Sequence, residues 1–417
     1  MLDSEFYDEL EIQDPDEREI LLFESLARHL AAVREETPYF QNLLKDINPM
    51  EIKGRDDLAA LPITRKSDLG DLQKNDPPLA GMTTVAPANY LRLFQSPGPT
   101  YEPEADGKDW WRMGRALFAA GMRPGDIVHN TFSYHMTPAG MMIESGARAI
   151  GCAVVPAGTG QTEQQIQAIA HIRPSAYAGT PSFLKIILDK AREAGADVGS
   201  ISKALVSGEA LPQALRDEFR DNGIQCLQAY ASADLGLIAY ESKAMDGLIV
   251  DDRIIVEIVR PGTGDPVAQG EIGEVIVTSL NRDYPLIRFA TGDLSSVMTG
   301  LSPCGRTGMR LTGWKGRADQ STKVRGMFVT PKQIADVLKR HPEIAKARLV
   351  VETKDGTDAM TLKAEADIES GGGGEELASA LGETLKSLCN LRGDTHIVEP
   401  GSLPNDGLVI EDTRGRE

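Results

Sequence analysis

The feature that most constrains this chain is an alternation of helical and β-rich runs between Asp109 and Gly195. A helical run (WWRMGRALFAAG) is followed by a turn (RPGD), a β run (IVHNTF), a helix around GMMIESGARAIG and a short apolar strand (CAVVP). A helix then begins after Thr162, a strand lies near Ala176, and a helix follows in SFLKIILDKAREAG. Helices alternating with short β segments predict a parallel sheet wrapped by helices, with ligands at the carboxyl ends of its strands. Upstream, Glu17 to Glu36 spaces its apolar residues as an amphipathic helix. After Gly247 the runs IIVEIVR, GEVIVTSL and LIRFAT, with the turn PGTGDP, predict an antiparallel β region. From Gly316 the order becomes strand (STKVRGMFV), helix (PKQIADVLKRH), two strands (KARLVVET, AMTLKAEAD), the glycine run Gly371 to Gly374, a helix (EELASALGETLKSLCN) and a strand near THIVEP. This β-α-β-β-α-β order predicts a small α+β domain of split-βαβ type. With 417 residues, 41% of them hydrophobic, the chain has room for two cores. The expected fold is therefore a large α/β domain over residues 1–316 and an α+β domain over 317–417, with the boundary between Lys315 and Ser321.

The formal net charge of -18 argues against nucleic acid and anionic membrane as partners. No segment reaches the roughly 20 apolar residues that span a bilayer, and the acidic start MLDSEFYDELEIQDPDER is unlike a secretory signal. A cytoplasmic location is expected. Cys152, Cys226, Cys304 and Cys389 form no CxxC pair, and the six histidines show no HxxxH or HExxH spacing. Neither a disulfide framework nor a structural zinc is expected.

The stretch FQSPGPTYEPEADG, Phe94 to Gly107, reads as an altered phosphate-binding loop: it has Ser96, Gly98 and Thr100, but prolines and Glu102 among them. Asp293, in Thr-Gly-Asp after a β run, is placed to accept hydrogen bonds from two ribose hydroxyls; its bland alternative is a turn aspartate. Arg317 and Asp319 in GRAD suit a ribose or phosphate clamp and a pivot, or else a surface ion pair. Lys323 and Arg325, two residues apart, share a face if their strand continues, either for anion contact or in solvent. Phe132, Tyr134 and Met136 alternate at a strand end, as pocket lining or as core. His135 would face away from that row, unless the nearby glycine and proline make a loop; its bland reading is a buried, hydrogen-bonded histidine.

Several stretches, in order and across nearly the whole chain, resemble the phenylacetate-CoA ligase branch of the adenylate-forming enzymes. They are SGEAL (Ser207 to Leu211), YASADLG (Tyr230 to Gly236), PLIRFATGDL (Pro285 to Leu294) and CGRTGMRLTGWKGRADQSTKVRGMFVTPKQI. The resemblance implies a nucleotide site of Ser207, Gly208, Glu209, Ala210, Tyr230, Ala231, Ser232, Ala233, Asp293, Arg317, Lys323 and Arg325. It implies a catalytic acid at Asp234, which would also hold Mg²⁺ through a water, a hinge at Asp319, and a phosphate loop at Ser96, Gly98, Thr100 and Glu102. The acid pocket would fall at Phe132, Tyr134, His135 and Met136, with Gly179 and Thr180 of GTPSF. The implied chemistry uses ATP, Mg²⁺ and coenzyme A: a small carboxylic acid attacks the α-phosphate, and CoA then displaces AMP. Similar ligases are commonly homodimers, and the same is expected here.

Three departures fall on the parts that handle charge. The family's loop runs approximately S-S-G-T-T-G-K-P, whereas this chain has Ser96, Pro97, Gly98, Pro99, Thr100, Tyr101, Glu102 and Pro103. Proline offers no amide proton, and Glu102 stands where a lysine would meet the β- and γ-phosphates. In YASADLG the usual glycine, hydroxyl residue and Glu are Ala231, Ala233 and Asp234. The family's terminal Gly-Lys is Gly407-Leu408. Loss of one preorganised donor costs on the order of 10² to 10³ in rate, so the ligase reading carries weakened adenylation. The alternative is a non-adenylating homologue that binds AMP, acyl-adenylate or acyl-CoA as a sensor, partner subunit or acyl-CoA-processing enzyme.

Overall fold

The computed structural model describes residues 4–96, 99–318, 322–325, 327–354, 357–367, 373–404 and 408–414. The chain divides into two compact units. The first holds residues 1–256, 277–289 and 298–314; the second holds 257–276, 290–297 and 315–417. The last segment of the second unit begins at Lys315, and two earlier β segments are grouped with it.

The first unit is built on an eight-stranded sheet: β1 (Ile127–Asn130), β2 (Ala153–Pro156), β3 (Ala176–Gly179), β4 (Lys203–Val206), β5 (Gln225–Ser232), β6 (Gly236–Glu241), β7 (Leu248–Val250) and β8 (Arg310–Leu311). Their spatial order is β8-β7-β6-β5-β4-β3-β1-β2. From β2 to β5 neighbours are parallel, and from β5 to β8 they are antiparallel. The parallel strands bury both faces. Ala176, Ala178, Leu205 and Leu227 join a core with Met113, Leu117, Met142 and Ala147 of the helices Met113–Ala119 and Ala139–Ala149. Tyr177, Ala204, Val206 and Cys226 face the other way, onto Ile166, Ile169, Leu184, Ile187 and Phe219 of three further helices. Period-two alternation therefore puts apolar residues on both sides, which suits a sheet covered by helices on both faces. A second sheet takes the order 64–65, 286–295, 273–279, 254–259.

Pro15–Glu36 forms the amphipathic helix. Asp14 caps it by accepting from the amides of Asp16 and Glu17, with proline at the first turn. Phe23, Leu26, Leu30 and Val33 line its buried face. The residues before it are tied down by ions. Arg115 is 3% exposed and reaches Asp8 at 2.7 Å, Asp252 at 3.0 Å and Asp251 at 3.5 Å. Arg306 pairs with Glu11 at 3.0 Å, whose other oxygen accepts from the Tyr240 hydroxyl at 2.5 Å.

The second unit contains a two-stranded hairpin, β9 (Thr322–Val324) with β10 (Met327–Val329), and a four-stranded sheet. The sheet comprises β11 (Lys346–Lys354), β12 (Thr357–Glu365), β13 (Asp394–Val398) and β14 (Ile410–Asp412), in the order β13-β12-β11-β14. Helices Pro331–Arg340 and Gly373–Cys389 accompany it, and Ile334, Val337, Leu349, Leu362, Leu381 and Leu385 fill its core. The expected strand and helix order is present, but its first strand belongs to the separate hairpin and a C-terminal strand supplies the fourth place in the sheet.

Arg115→Ala takes one cation out of a buried network and leaves three arginines, Arg18, Arg112 and Arg306, for the four carboxylates Asp8, Glu11, Asp251 and Asp252. The expected loss of unfolding free energy is about 3–5 kcal/mol, measured as a shift in urea midpoint. A surface control such as Arg173→Ala, whose ion pair is exposed, is expected to cost under about 1 kcal/mol.

Candidate active site

The strand order sets where a ligand can enter. The chain lays β2 on one side of β1 and then crosses to place β3 on the other. The crossovers diverge there, which leaves the carboxyl ends of β1 and β3 uncovered, and in sheets of this kind that crevice is the binding position. Gly179 ends β3 and Thr180 caps the following helix, accepting from the Phe183 amide. A Cβ on Gly179 would lie 1.9 Å from Thr131 Oγ1 and 2.3 Å from the Tyr177 hydroxyl. Only glycine fits against this pair, which is itself hydrogen-bonded at 2.8 Å. Ser207, just after β4, donates its amide to the Gly179 carbonyl at 3.1 Å. A Cβ built on the next residue, Gly208, would stand 3.8 Å from Thr180 Cγ2 and 3.9 Å from Phe132 Cε1. The structure thus gathers Phe132, Gly179, Thr180, Ser207 and Gly208 at one set of strand ends. Glu209 joins them through its carboxylate, which accepts from the Ser182 amide at 3.4 Å; Ala210 is exposed beside it.

The run after β1 is a loop, because the strand ends at Asn130. Phe132 packs on the core. Asn130 donates to the Tyr134 hydroxyl at 2.7 Å and to the Gly140 carbonyl at 2.8 Å, and burial, then the charge of Glu144, raises that phenol's pKa. Met136 has φ 64 and is 54% exposed, and His135 is exposed as well. The alternating row of Phe132, Tyr134 and Met136 is therefore not formed, and His135 is not a buried histidine. The alternating row needed a strand, and the positive φ at Met136 breaks it; the loop that the glycine and proline implied for His135 is present and leaves its ring exposed.

YASADLG is the β5–β6 hairpin. Tyr230, Ala231 and Ser232 close β5, Ala233 to Leu235 turn, and Ser232 Oγ accepts from the Leu235 amide at 3.2 Å. Gly236 has φ 72, and a Cβ there would press to 2.7 Å from the Trp111 carbonyl oxygen, so the turn needs glycine at this point. The turn points Asp234 inward, where its side chain is fully buried and one oxygen, Oδ1, has no hydrogen-bond partner. The other oxygen is paired with the Lys66 ammonium. That donor set does not fit a resident Mg²⁺, which needs several oxygen ligands and waters. Among the described residues no group of three or more His, Cys, Asp or Glu gathers for a metal.

The altered phosphate loop is a β-hairpin, Arg92–Ser96 against Thr100–Glu104. Gly98 lies outside the described residues. Glu102, expected where a lysine would meet the phosphates, points into the protein. It is 1% exposed and accepts from Ser96 Oγ and Thr100 Oγ1, each at 3.0 Å. The helix Lys66–Asn75 holds this hairpin by one side chain: Gln73 donates to the Tyr101 carbonyl at 2.7 Å and accepts from the Tyr101 amide at 2.8 Å. Tyr284 is buried nearby with its hydroxyl unpartnered, and burial, then the charges of Asp234 and Glu102, holds its pKa well above the ordinary value.

Lys66, Gln73 and Tyr284 escaped the sequence reading. One signal was available for Lys66: it opens a helix, where the macrodipole disfavours a cation, so a partner carboxylate was implied.

In the second unit, Asp293 and Arg317 form an isolated β-bridge, and Arg317 donates to the Asp293 carboxylate at 2.9 Å. The Thr291 hydroxyl accepts from the Asp293 amide at 3.1 Å. Arg325 lies beyond the end of β9 with φ 46, and donates to the Asp358 carboxylate and carbonyl at 2.8 and 2.7 Å. The expected continuous strand carrying Lys323 and Arg325 on one face therefore stops at Val324. Asp319 and the Lys323 side chain lie outside the described residues, as does Gly407. Leu408 lines a small cleft with Val267, Ala335, Leu338 and Val409.

The strand ends of this parallel sheet are where an α/β protein binds its ligand, and comparison with known proteins gives the family. Residues 109–281 match the AMP-binding enzyme family and residues 326–409 match the AMP-binding enzyme C-terminal domain. The chain belongs to the phenylacetate-coenzyme A ligase family: it is 30% identical to the phenylacetate-coenzyme A ligase of Aromatoleum evansii over 94% of this chain and 92% of the relative. The Thermus thermophilus phenylacetate-coenzyme A ligase is also 30% identical, over 86% of this chain and 83% of the relative. The fold is that of a 2-hydroxyisobutyryl-CoA ligase solved in complex with R3-HIB-AMP, with a TM-score of 0.72, 22% identity, and coverage of 99% of this chain and 93% of that one.

The Lys66–Asp234 pair makes a direct prediction. Lys66→Met is expected to destabilise the chain by about 1–3 kcal/mol, because Asp234 loses its cation. Adding Asp234→Asn is expected to recover at least half of that loss. Urea titrations of the four proteins in this double-mutant cycle read the coupling.

Proposed function

We propose that the chain is an AMP-forming acid–CoA ligase. A carboxylic acid attacks the α-phosphate of ATP, giving acyl-adenylate and pyrophosphate; the CoA thiolate then attacks the acyl carbon, giving acyl-CoA and AMP. The single observation that carries this reading is the convergence of Phe132, Gly179, Thr180 and Gly208 at the carboxyl ends of parallel strands in a chain similar along its length to phenylacetate-coenzyme A ligases.

In this reading the Phe132 ring and the Tyr134 ring supply the apolar wall that favours an aromatic or other small acid. Residues 207–210 and 230–233 form the adenine side, and Asp293 accepts from the ribose. Joining two anions requires positive charge. Lys66 is the ammonium that the first unit brings to Asp234, so it serves where Glu102 and Leu408 leave no lysine. Mg²⁺ enters with ATP, as part of the substrate, and neutralises phosphate charge when bound. Asp234 acts through Lys66, holding the ammonium in one position. Residues 317–417 serve as the lid domain. A cytoplasmic homodimer completes the reading.

The test is acid-dependent exchange of labelled pyrophosphate into ATP, run with phenylacetate, benzoate and small hydroxy acids, together with CoA-dependent AMP release. Exchange above the acid-free background is expected with at least one acid. Lys66→Ala is expected to lower it by about 10² to 10³. Binding of AMP or acyl-CoA by calorimetry with no exchange for any acid would refute the ligase reading in favour of a non-adenylating homologue.

A further inference from the structure

The first unit also holds a cleft of about 490 Å³, formed by the N-terminal helix, the segment 107–112 and residues 280–283. None of its lining residues belongs to the strand-end site, and its size is that of a small-molecule site. One side is apolar, with Leu21, Leu22, Leu280 and Trp110 in the wall. Leu21 is 43% exposed there. The rest of the lining carries both signs of charge. The Arg18 and Arg112 guanidiniums are taken by Asp252 at 2.9 Å and Asp251 at 3.0 Å. The Lys108 ammonium, the Arg253 guanidinium and the Asp283 carboxylate line the same cleft and, among the described residues, have no ion pair or side-chain hydrogen bond. Two further polar atoms of lining residues, Asp109 Oδ1 and Trp110 Nε1, are buried without a hydrogen-bond partner, whereas buried polar atoms ordinarily have one. Asp109 and Arg112 also hold positive φ, 56 and 66, and such positions concentrate at ligand sites.

We infer that this cleft is a second ligand site, that it takes an α-amino acid with a large apolar side chain, and that its occupancy is felt at the Asp234 turn. The charge of the free groups selects the ligand. Lys108 and Arg253 balance the carboxylates of Asp109 and Asp283, so a multiply charged phosphate would meet two anions and a simple acid would leave both unpaired. A zwitterion uses both signs, its carboxylate on the two cations and its ammonium on Asp283. The leucine and tryptophan wall then requires an apolar body. Coupling to the turn runs through the segment that forms the cleft. Trp111 accepts from the Leu237 amide at 2.9 Å, and Arg112 donates to the carbonyls of Leu235 and Leu237 at 2.5 and 3.0 Å. The wall of the cleft is thus bonded directly to the turn that carries Asp234, and a filled cleft holds that turn more firmly.

The test titrates the full-length protein with L-phenylalanine at neutral pH by calorimetry. The expected Kd is on the order of 0.1 to 1 mM for a ligand of this size. Phenylpropanoate, which lacks the ammonium, and phenylethylamine, which lacks the carboxylate, are each expected to bind about tenfold or more weakly. Arg253→Gln and Asp283→Asn are each expected to weaken L-phenylalanine about tenfold without moving the melting temperature, because neither side chain has a partner to lose. No binding to wild type up to about 10 mM, equal binding of phenylpropanoate, or a Kd that neither substitution changes would overturn the site. The coupling is read in acid-dependent pyrophosphate exchange and rests on the ligase reading. Saturating L-phenylalanine is expected to raise the wild-type rate about fivefold and to leave Asp283→Asn unchanged at the same concentration. A wild-type rate that stays level or falls, or an equal rise in the variant, would overturn the coupling. If no acid supports exchange, the ligase reading fails, while calorimetry still decides the site.

Discussion

The crossing of the chain from one side of Ile127–Asn130 to the other is the constraint on which the first unit depends. Because Ala153–Pro156 and Ala176–Gly179 flank that strand, the connections that leave Ile127–Asn130 and Ala176–Gly179 head in opposite directions, and the ends of those two strands stay open. The local sequence is fitted to that opening. Gly179 lets two hydroxyls close against the backbone, Thr180 starts a helix at the rim, and Gly208 leaves space beside Phe132. The rest of the sheet is continuous apolar packing that keeps these ends in register.

Two groups of buried ions in the same unit behave differently, and the difference separates structure from chemistry. Around the N-terminal segment, Arg18, Arg112, Arg115 and Arg306 meet Asp8, Glu11, Asp251 and Asp252, so four cations face four carboxylates. Charge closes, and the network fastens one segment to another. Around the hairpin, among the described residues, Lys66 is the cation paired with Asp234, and the charge of Asp234 acts on Glu102. Two carboxylates to one cation is an imbalance, and buried imbalances of this kind concentrate at functional sites rather than at fastenings.

The parallel core was legible because its helices and strands alternate in length and period, and the strands at 127–130, 153–156 and 176–179 fall where apolar runs announce them. The strands at 203–206, 225–232 and 236–241 were harder to see. They are short or interrupted by polar residues, and pairing with neighbours rather than local pattern makes them strands. Glu102 was legible as an unusual residue but not as a buried one, since YEPE shows strand character only when paired with RLFQS. Lys66 was invisible as a partner of Asp234 because 168 residues separate them. Arg325 misled because a strand of three residues turns before reaching it.

Gln73 carries a consequence for anyone who would re-engineer this site. Its two hydrogen bonds to Tyr101 are made by backbone atoms of the hairpin, so they survive any exchange of hairpin side chains yet vanish if the hairpin changes length. The helix that bears Lys66 and the strand that bears Glu102 thus form one transplantable cassette. A glycine-rich loop grafted from a relative without its matching helix would arrive with nothing to set its height above the strand ends.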